Sequence, residues 1–197
     1  GDAITTGNAQ VAIGYNALST EDAGLGSVAV GYQALQNQNV DGDSGNVAVG
    51  SNSGNAVTTG TNNSFLGFRS GVLITTGTHN TAIGYQALDA DAEGDYNTCI
   101  GSGAGGGFNN TGNDHNTCVG YNAGTGGNNQ DIDGIVAIGS EALTNIDNSG
   151  ASGSIAIGRS ALTALTSASG NIAIGYQAGL RHTSGAGCVY IGHNAAD

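Results

Sequence analysis

The chain has 197 residues, with 37 glycines, no proline, methionine or tryptophan, and only 9% charged residues. Arg69, Arg159 and Arg181 are its only basic side chains apart from histidine, and the net charge is -12. That balance excludes a phosphate-binding footprint for nucleic acid and argues against an anionic membrane surface. No apolar run approaches the ~20 residues of a membrane-spanning helix.

Taken alone, such a composition would suit a low-complexity chain. Periodicity argues otherwise. An aliphatic residue recurs eleven times before glycine, at Ile13, Val30, Val49, Leu66, Ile83, Ile100, Val119, Ile138, Ile157, Ile174 and Ile191. The intervals are 17, 19, 17, 17, 17, 19, 19, 19, 17 and 17 residues. A mostly β-branched column stands two places before the marker (Val11, Val28, Thr81, Ile155), and the place between is Ala in seven copies and Phe65, Cys99, Cys118 or Tyr190 in the others. Three residues after the glycine comes Ala or Ser every time. Strand side chains alternate with period two, so a two-residue insertion in a connector leaves the facing of the phrase unchanged.

These columns predict an all-β fold, a parallel β-solenoid of about eleven 17/19-residue rungs, roughly 50 Å long at ~4.8 Å per rung. Residues 1–197 are expected to form one elongated domain, open at both ends. A rung of this length admits two strands of about 5–6 residues and two turns. With Ala and Gly inside, the eleven marker residues form an outward ladder that must be covered, and further copies of the chain are the expected cover. The alternative places Ile and Val inside, and a monomer then suffices.

In chain order, Ala3-Ile4-Thr5-Thr6-Gly7 recurs as Ala56-Val57-Thr58-Thr59-Gly60 and Leu73-Ile74-Thr75-Thr76-Gly77, and reads as the second strand of a rung. The connectors around Asp41-Gly42-Asp43 and Asp131-Ile132-Asp133-Gly134 are turn-forming. An asparagine column (Asn46, Asn63, Asn80, Asn97, Asn116, Asn171) is expected to stack into side-chain amide ladders, with Ser27 and Ser154 substituting and Ile135 breaking it. Joining residue 197 to residue 1 of another copy preserves a 19-residue interval, which suits end-to-end filaments.

Asp89, Asp91, Glu93 and Asp95 alternate like the start of a calcium loop, with Ile100 where a bidentate Glu would stand. Calcium is the one cofactor suggested, against the alternative of a solvated acidic edge. Cys99 and Cys118 share the alanine column on adjacent rungs and read as small buried residues, and Cys188 has no evident partner. The four histidines, His79, His115, His182 and His193, lack zinc-ligand spacing and read as surface residues. No Ser/His/acid set can be assigned, so no enzyme activity is expected. Tyr15, Tyr32, Phe68, Tyr85, Tyr121 and Tyr176 lie two places after the marker, where they would pack beside the ladder at a chain interface or bind a glycan. The paired threonines raise an ice-binding solenoid as a rival, and a glycan-binding or glycan-active solenoid, whose active form would need an acid pair in a cleft, is a second.

The phrases Asn46-Val47-Ala48-Val49-Gly50, Asn80-Thr81-Ala82-Ile83-Gly84-Tyr85-Gln86-Ala87-Leu88 and Asn171-Ile172-Ala173-Ile174-Gly175-Tyr176-Gln177-Ala178 resemble the head repeats of YadA-like trimeric autotransporter adhesins and related repeats of phage tail fibres. The resemblance covers all eleven copies. It implies a left-handed parallel β-roll, a homotrimer, and an extracellular, cell-surface or virion location with a glycan or surface receptor as ligand. The 17/19 spacing is longer than that of the usual head repeat, and no coiled-coil stalk or membrane anchor is read within these residues. The expected role is a structural, adhesive fibre segment.

Overall fold

The computed structural model describes residues 5–108, 112–126, 132–146 and 151–196. Within them the recurrent phrase forms eleven three-residue strands, from Val11–Ile13 to Val189–Ile191, each ending on the marker residue. The strands hydrogen-bond in sequence order into a single parallel sheet. Each strand is one rung of a β-solenoid, numbered here 1 to 11 in chain order. Register is the same across both interval lengths: Val28 pairs with Val47 over 19 residues and Val47 with Ser64 over 17. The connectors therefore absorb the extra two residues, as period two requires.

Glycine ends each strand for a steric reason. At Gly84 the backbone has φ +134°, and a Cβ there would lie 2.5 Å from the Gly101 carbonyl oxygen on the next rung. The following turn alternates into the left-handed region, at Gln86 (φ 52°) and Leu88 (φ 49°) on this rung. Such alternation cannot continue a strand.

The expected second strand is not formed. Thr58 and Thr59, and likewise Thr75 and Thr76, lie in bends. There the Thr58 N–H (2.8 Å), Thr58 hydroxyl (3.1 Å) and Gly60 N–H (3.3 Å) all donate to the Thr75 carbonyl. Three donors on one oxygen close a corner and cannot extend a ladder. Thr5, Thr6 and Gly7 converge in the same way on the Asp22 carbonyl; Ala3 and Ile4 lie outside the described residues.

The core is one side chain thick. The middle residue of each strand from Ala29 to Ala173 is buried, and so is the Ala or Ser three places after the glycine. The residue after that packs in the same layer, and its size answers the strand residue of its own rung or, at Gly54 and Gly179, of the next. Leu35, Leu88, Leu143 and Leu162 accompany Ala29, Ala82, Ala137 and Ala156, whereas Gly71, Gly105 and Gly124 accompany Phe65, Cys99 and Cys118. A Cβ on Gly71 would fall 2.4 Å from the Phe65 ring, and one on Gly124 2.2 Å from the Cys118 sulfur.

The asparagine column stacks, but as a side-chain-to-backbone clamp rather than an amide-to-amide ladder. The Asn80 side-chain oxygen accepts the Asn97 N–H at 2.9 Å, while its amide donates to the Gly94 carbonyl at 2.7 Å. Asn46, Asn63, Asn97 and Asn116 repeat the arrangement on their own rungs. Ile135 fits because the clamp from Asn116 needs only its backbone N–H, at 3.0 Å. The column restarts at Ser154, whose hydroxyl oxygen accepts the Asn171 N–H at 3.2 Å.

Gly84→Ala is expected to lower stability by at least about 3 kcal/mol, because it combines left-handed strain with a backbone collision. Gly153→Ala, at φ +69° with nothing within 4 Å of the new Cβ, is expected to cost only about 1 kcal/mol. Urea midpoints of the two variants check the difference.

Candidate functional site

The sheet face opposite the core is aliphatic and open along the whole rod. Ile13 and Ile191 on the end rungs are 59% and 68% exposed, and Leu66, Ile100, Ile138 and Ile174 on inner rungs still 37–49%. Small residues fill the inside and the marker ladder points outward, so the arrangement with Ile and Val inside is excluded. The aromatic column begins each turn beside this ladder. Tyr15 stacks on Tyr32 at 5.5 Å between centroids and Phe68 on Tyr85 at 5.6 Å. Arg159 lies 5.7 Å from the Tyr176 ring centroid, on the same column. Ser51, Ser102 and Ser140 occupy the ring position on the other inner rungs.

A second ring stack was not foreseen. His79, Tyr96 and His115 stack at 4.9 and 5.1 Å. Their common place, just before the asparagine column, was the signal available in the sequence. His193 stacks on Tyr176, and the His182 ring nitrogens meet the Gly185 carbonyl oxygen and the Tyr190 hydroxyl.

The four acids of the calcium-loop reading do not converge. Asp91 is buried, Glu93 is exposed, and Asp89 and Asp95 are half-buried. The Asp95 carboxylate accepts the Thr78 N–H and hydroxyl at 2.6 and 2.9 Å. Asp114 and Asp133 continue this arrangement, each accepting the N–H of the acid one rung earlier at 2.7 and 2.9 Å; Asp131 lies outside the described residues. Among the described residues no three His, Cys, Asp or Glu side chains form a group able to hold a metal ion. The alternation along the sequence places successive acids on different walls of the rung, the opposite of what a cation site requires.

Asp91 stands on an internal column, between Ile74 one rung before and Phe108 one rung after. Its Oδ1 accepts the Gly94 N–H at 3.0 Å, while Oδ2 has no partner. Burial pushes its pKa from 3.8 to about 7, against the lowering effect of the Gly94 hydrogen bond. Burial also raises Asp89, offset by a backbone hydrogen bond and by Arg69. Cys99 and Cys118 are in-register partners, both buried and free. The hydrogen bond with Cys118, and then burial, push the Cys99 thiol well up. Both cysteines thus serve as small core residues, as expected from their column. Cys188 is a half-buried free thiol.

No family model, curated protein or solved structure matches the chain. Among the described residues no helix is long and apolar enough to cross a membrane.

Because Asp91 is raised in the folded state, its favourable contribution is complete below about pH 4 and is lost as pH rises through about 7. Asp91→Asn is expected to stabilise the fold above pH 8, by up to about 4 kcal/mol. Near pH 3.5, where both side chains are neutral, the two proteins are expected to differ little. Denaturant midpoints at the two pH values check the crossover.

Proposed function

We propose that this chain is a structural, adhesive fibre segment that works as a stiff repetitive rod, with its aliphatic face covered by further copies of itself. One observation carries the reading: none of the outward marker residues is buried, with Ile13, Leu66, Ile100, Ile138, Ile174 and Ile191 exposed and the other five half-buried, a longer apolar stripe than monomers ordinarily leave in water. The resemblance to YadA-like and tail-fibre repeats adds a threefold assembly, a left-handed winding and an extracellular, cell-surface or virion setting. Filament growth from the rod ends would extend the same stacking. Binding of a glycan or surface receptor is part of the adhesive role, and the role requires no catalysis and no bound calcium.

The rivals meet physical obstacles. Thr58 and Thr75 direct their hydroxyl protons to carbonyls of the next rung, and the threonine pairs are not matched on every rung, so they form no continuous array to order ice-like water. A glycan-active site needs an acid pair in a cleft, and no cleft is found among the described residues.

Mass in solution and negative-stain images test the proposal. A trimeric rod is expected, and a well-folded monomer at all concentrations would remove it. Ile100→Glu with Ile138→Glu is expected to lower the assembled mass while leaving the circular dichroism of the rung stack intact. An unchanged mass would mean that the face is not the contact.

A further inference from the structure

The aromatic column carries gaps as well as rings. Ser51 on rung 3 stands between Tyr32 and Phe68, Ser102 on rung 6 between Tyr85 and Tyr121, and Ser140 on rung 8 between Tyr121 and Arg159. Adjacent rings on this column stack at 5.5 and 5.6 Å, so the planar groups on either side of a serine are about two rungs, or ~10 Å, apart. That space holds one further ring stacked as its neighbours are. The flanking Tyr32, Phe68, Tyr85 and Tyr121 are about half exposed, at 46–54%. Because they begin the turn, they sit at the edge of the aliphatic face and stay accessible when that face is covered.

The group that fits these gaps must present planar rings perpendicular to the rod at the rung spacing. Another rod of the same chain does so. We propose that two copies pair antiparallel along this column, with rung 6 of one level with rung 7 of the other, so that the rings of each enter the serine gaps of its partner. In that register Ser102 receives the partner's Tyr121, Ser140 the partner's Tyr85 and Ser51 the partner's Tyr176. Arg159 meets the ring of the partner's Phe68, a contact of the kind it already makes with Tyr176 at 5.7 Å. Between rungs 3 and 10 no ring opposes another at the same level, and the two columns merge into one stack there; at either end Tyr32 lies level with the partner's His193 and the stack gives way to a side-by-side contact. Parallel copies in equal register would instead set serine against serine at all three gaps.

The column spans ten overlapping rungs, a strip of roughly 48 by 10 Å, and pairing buries about 1,000 Å² in total. That area lies at the lower limit of specific contacts, so the pairing is weak and concentration-dependent. The inference rests on the reading of the chain as a self-associating rod and adds a lateral contact to it.

Sedimentation equilibrium over a range of concentrations tests the pairing as a doubling of mass. Ser102→Tyr fills a gap with a ring that stacks within its own rod, so a loss of pairing cannot be ascribed to unfolding. Ser102→Tyr and Tyr121→Ser are each expected to weaken the doubling roughly tenfold, since symmetry places each change at two contacts. The double variant S102Y/Y121S exchanges ring and gap and is expected to recover to within about threefold of the original. Single variants that pair as tightly as the original, or a double variant no tighter than the singles, would overturn the pairing. Rescue of Ser102→Tyr by Phe68→Ser in place of Tyr121→Ser would overturn the register. Assembled rods indifferent to all these changes would sink this contact alone. A chain that stays single at every concentration would remove the proposed function with it.

Discussion

Close backbone approach at the corner of each rung sets the terms for everything else in this molecule. The glycine after each strand turns at φ between +127° and +142°, with the carbonyl of the next rung lying where a side chain would begin. Only glycine satisfies both demands, and it does so ten times, from Gly14 to Gly175, with Gly192 on the last rung meeting the first demand alone. A rung bent so tightly encloses almost nothing. It holds a strand residue, an Ala or Ser and a few further side chains, such as Asn80, Leu88 and Asp91 beside Ala82 and Ala87, and finds most of its burial and hydrogen bonds on the rungs above and below. Stability therefore passes along the rod by nearest neighbours and is not gathered in a centre.

This thinness explains how the columns vary. A conventional core spreads a change of volume over many neighbours, but so thin a layer must compensate within itself or on the adjoining rung. Phe65 shows both. It needs Gly71 on its own rung and Gly54 on the rung before, where added Cβ atoms would fall 2.4 and 2.8 Å from its ring. Tyr190 makes the same demand of Gly179 on the preceding rung, at 2.8 Å. Ala paired with Leu, and Phe or Cys paired with Gly, are alternative fillings of one small space.

Much of this was legible in the residue order, because the repeat places like residues at like heights. The parallel strands, their register, the neutral role of the two-residue insertions and the inward alanine column all follow from periodicity at Val28, Ala29 and Val30 and their counterparts. Reading one column at a time hid three other features. The link between Ala82 and Leu88, or between Phe65 and Gly71, runs across columns. The second strand at Thr58 and Thr75 looked extended by composition, yet the bend there is set by several donors sharing one carbonyl. The acids at Asp89, Asp91, Glu93 and Asp95 alternate as a cation loop does, but alternation around a tight coil scatters side chains to inside, outside and edge. The outward face was legible as a candidate surface. Its serine gaps were not, since they acquire meaning only once the flanking rings are known to stack.

Two buried carboxylates on one internal column show how far the neighbouring rung governs chemistry. Glu21 has Gln38 above it, which donates to Oε2 at 2.5 Å, while Gly24 supplies a backbone donor at 2.7 Å. Asp91 occupies the same column between Ile74 and Phe108, and its Oδ2 is left without a donor. Burial is similar in the two cases, so the difference lies in what the adjoining rung offers. The asparagine clamp obeys the same logic, passing along the rod until Ile135, whose backbone N–H donates to Asn116 but whose side chain has no oxygen to accept from the next rung. Inside the rod, then, what a side chain finds is set by the chain's own next copy of the motif. The Val/Ile ladder and its ring column have no such answer within one rod, because successive rungs cover only the flanks of these side chains and leave their tips in water. The repeat that satisfies the interior makes the outer face equally regular, and a surface of matching period is the partner that can cover it rung for rung.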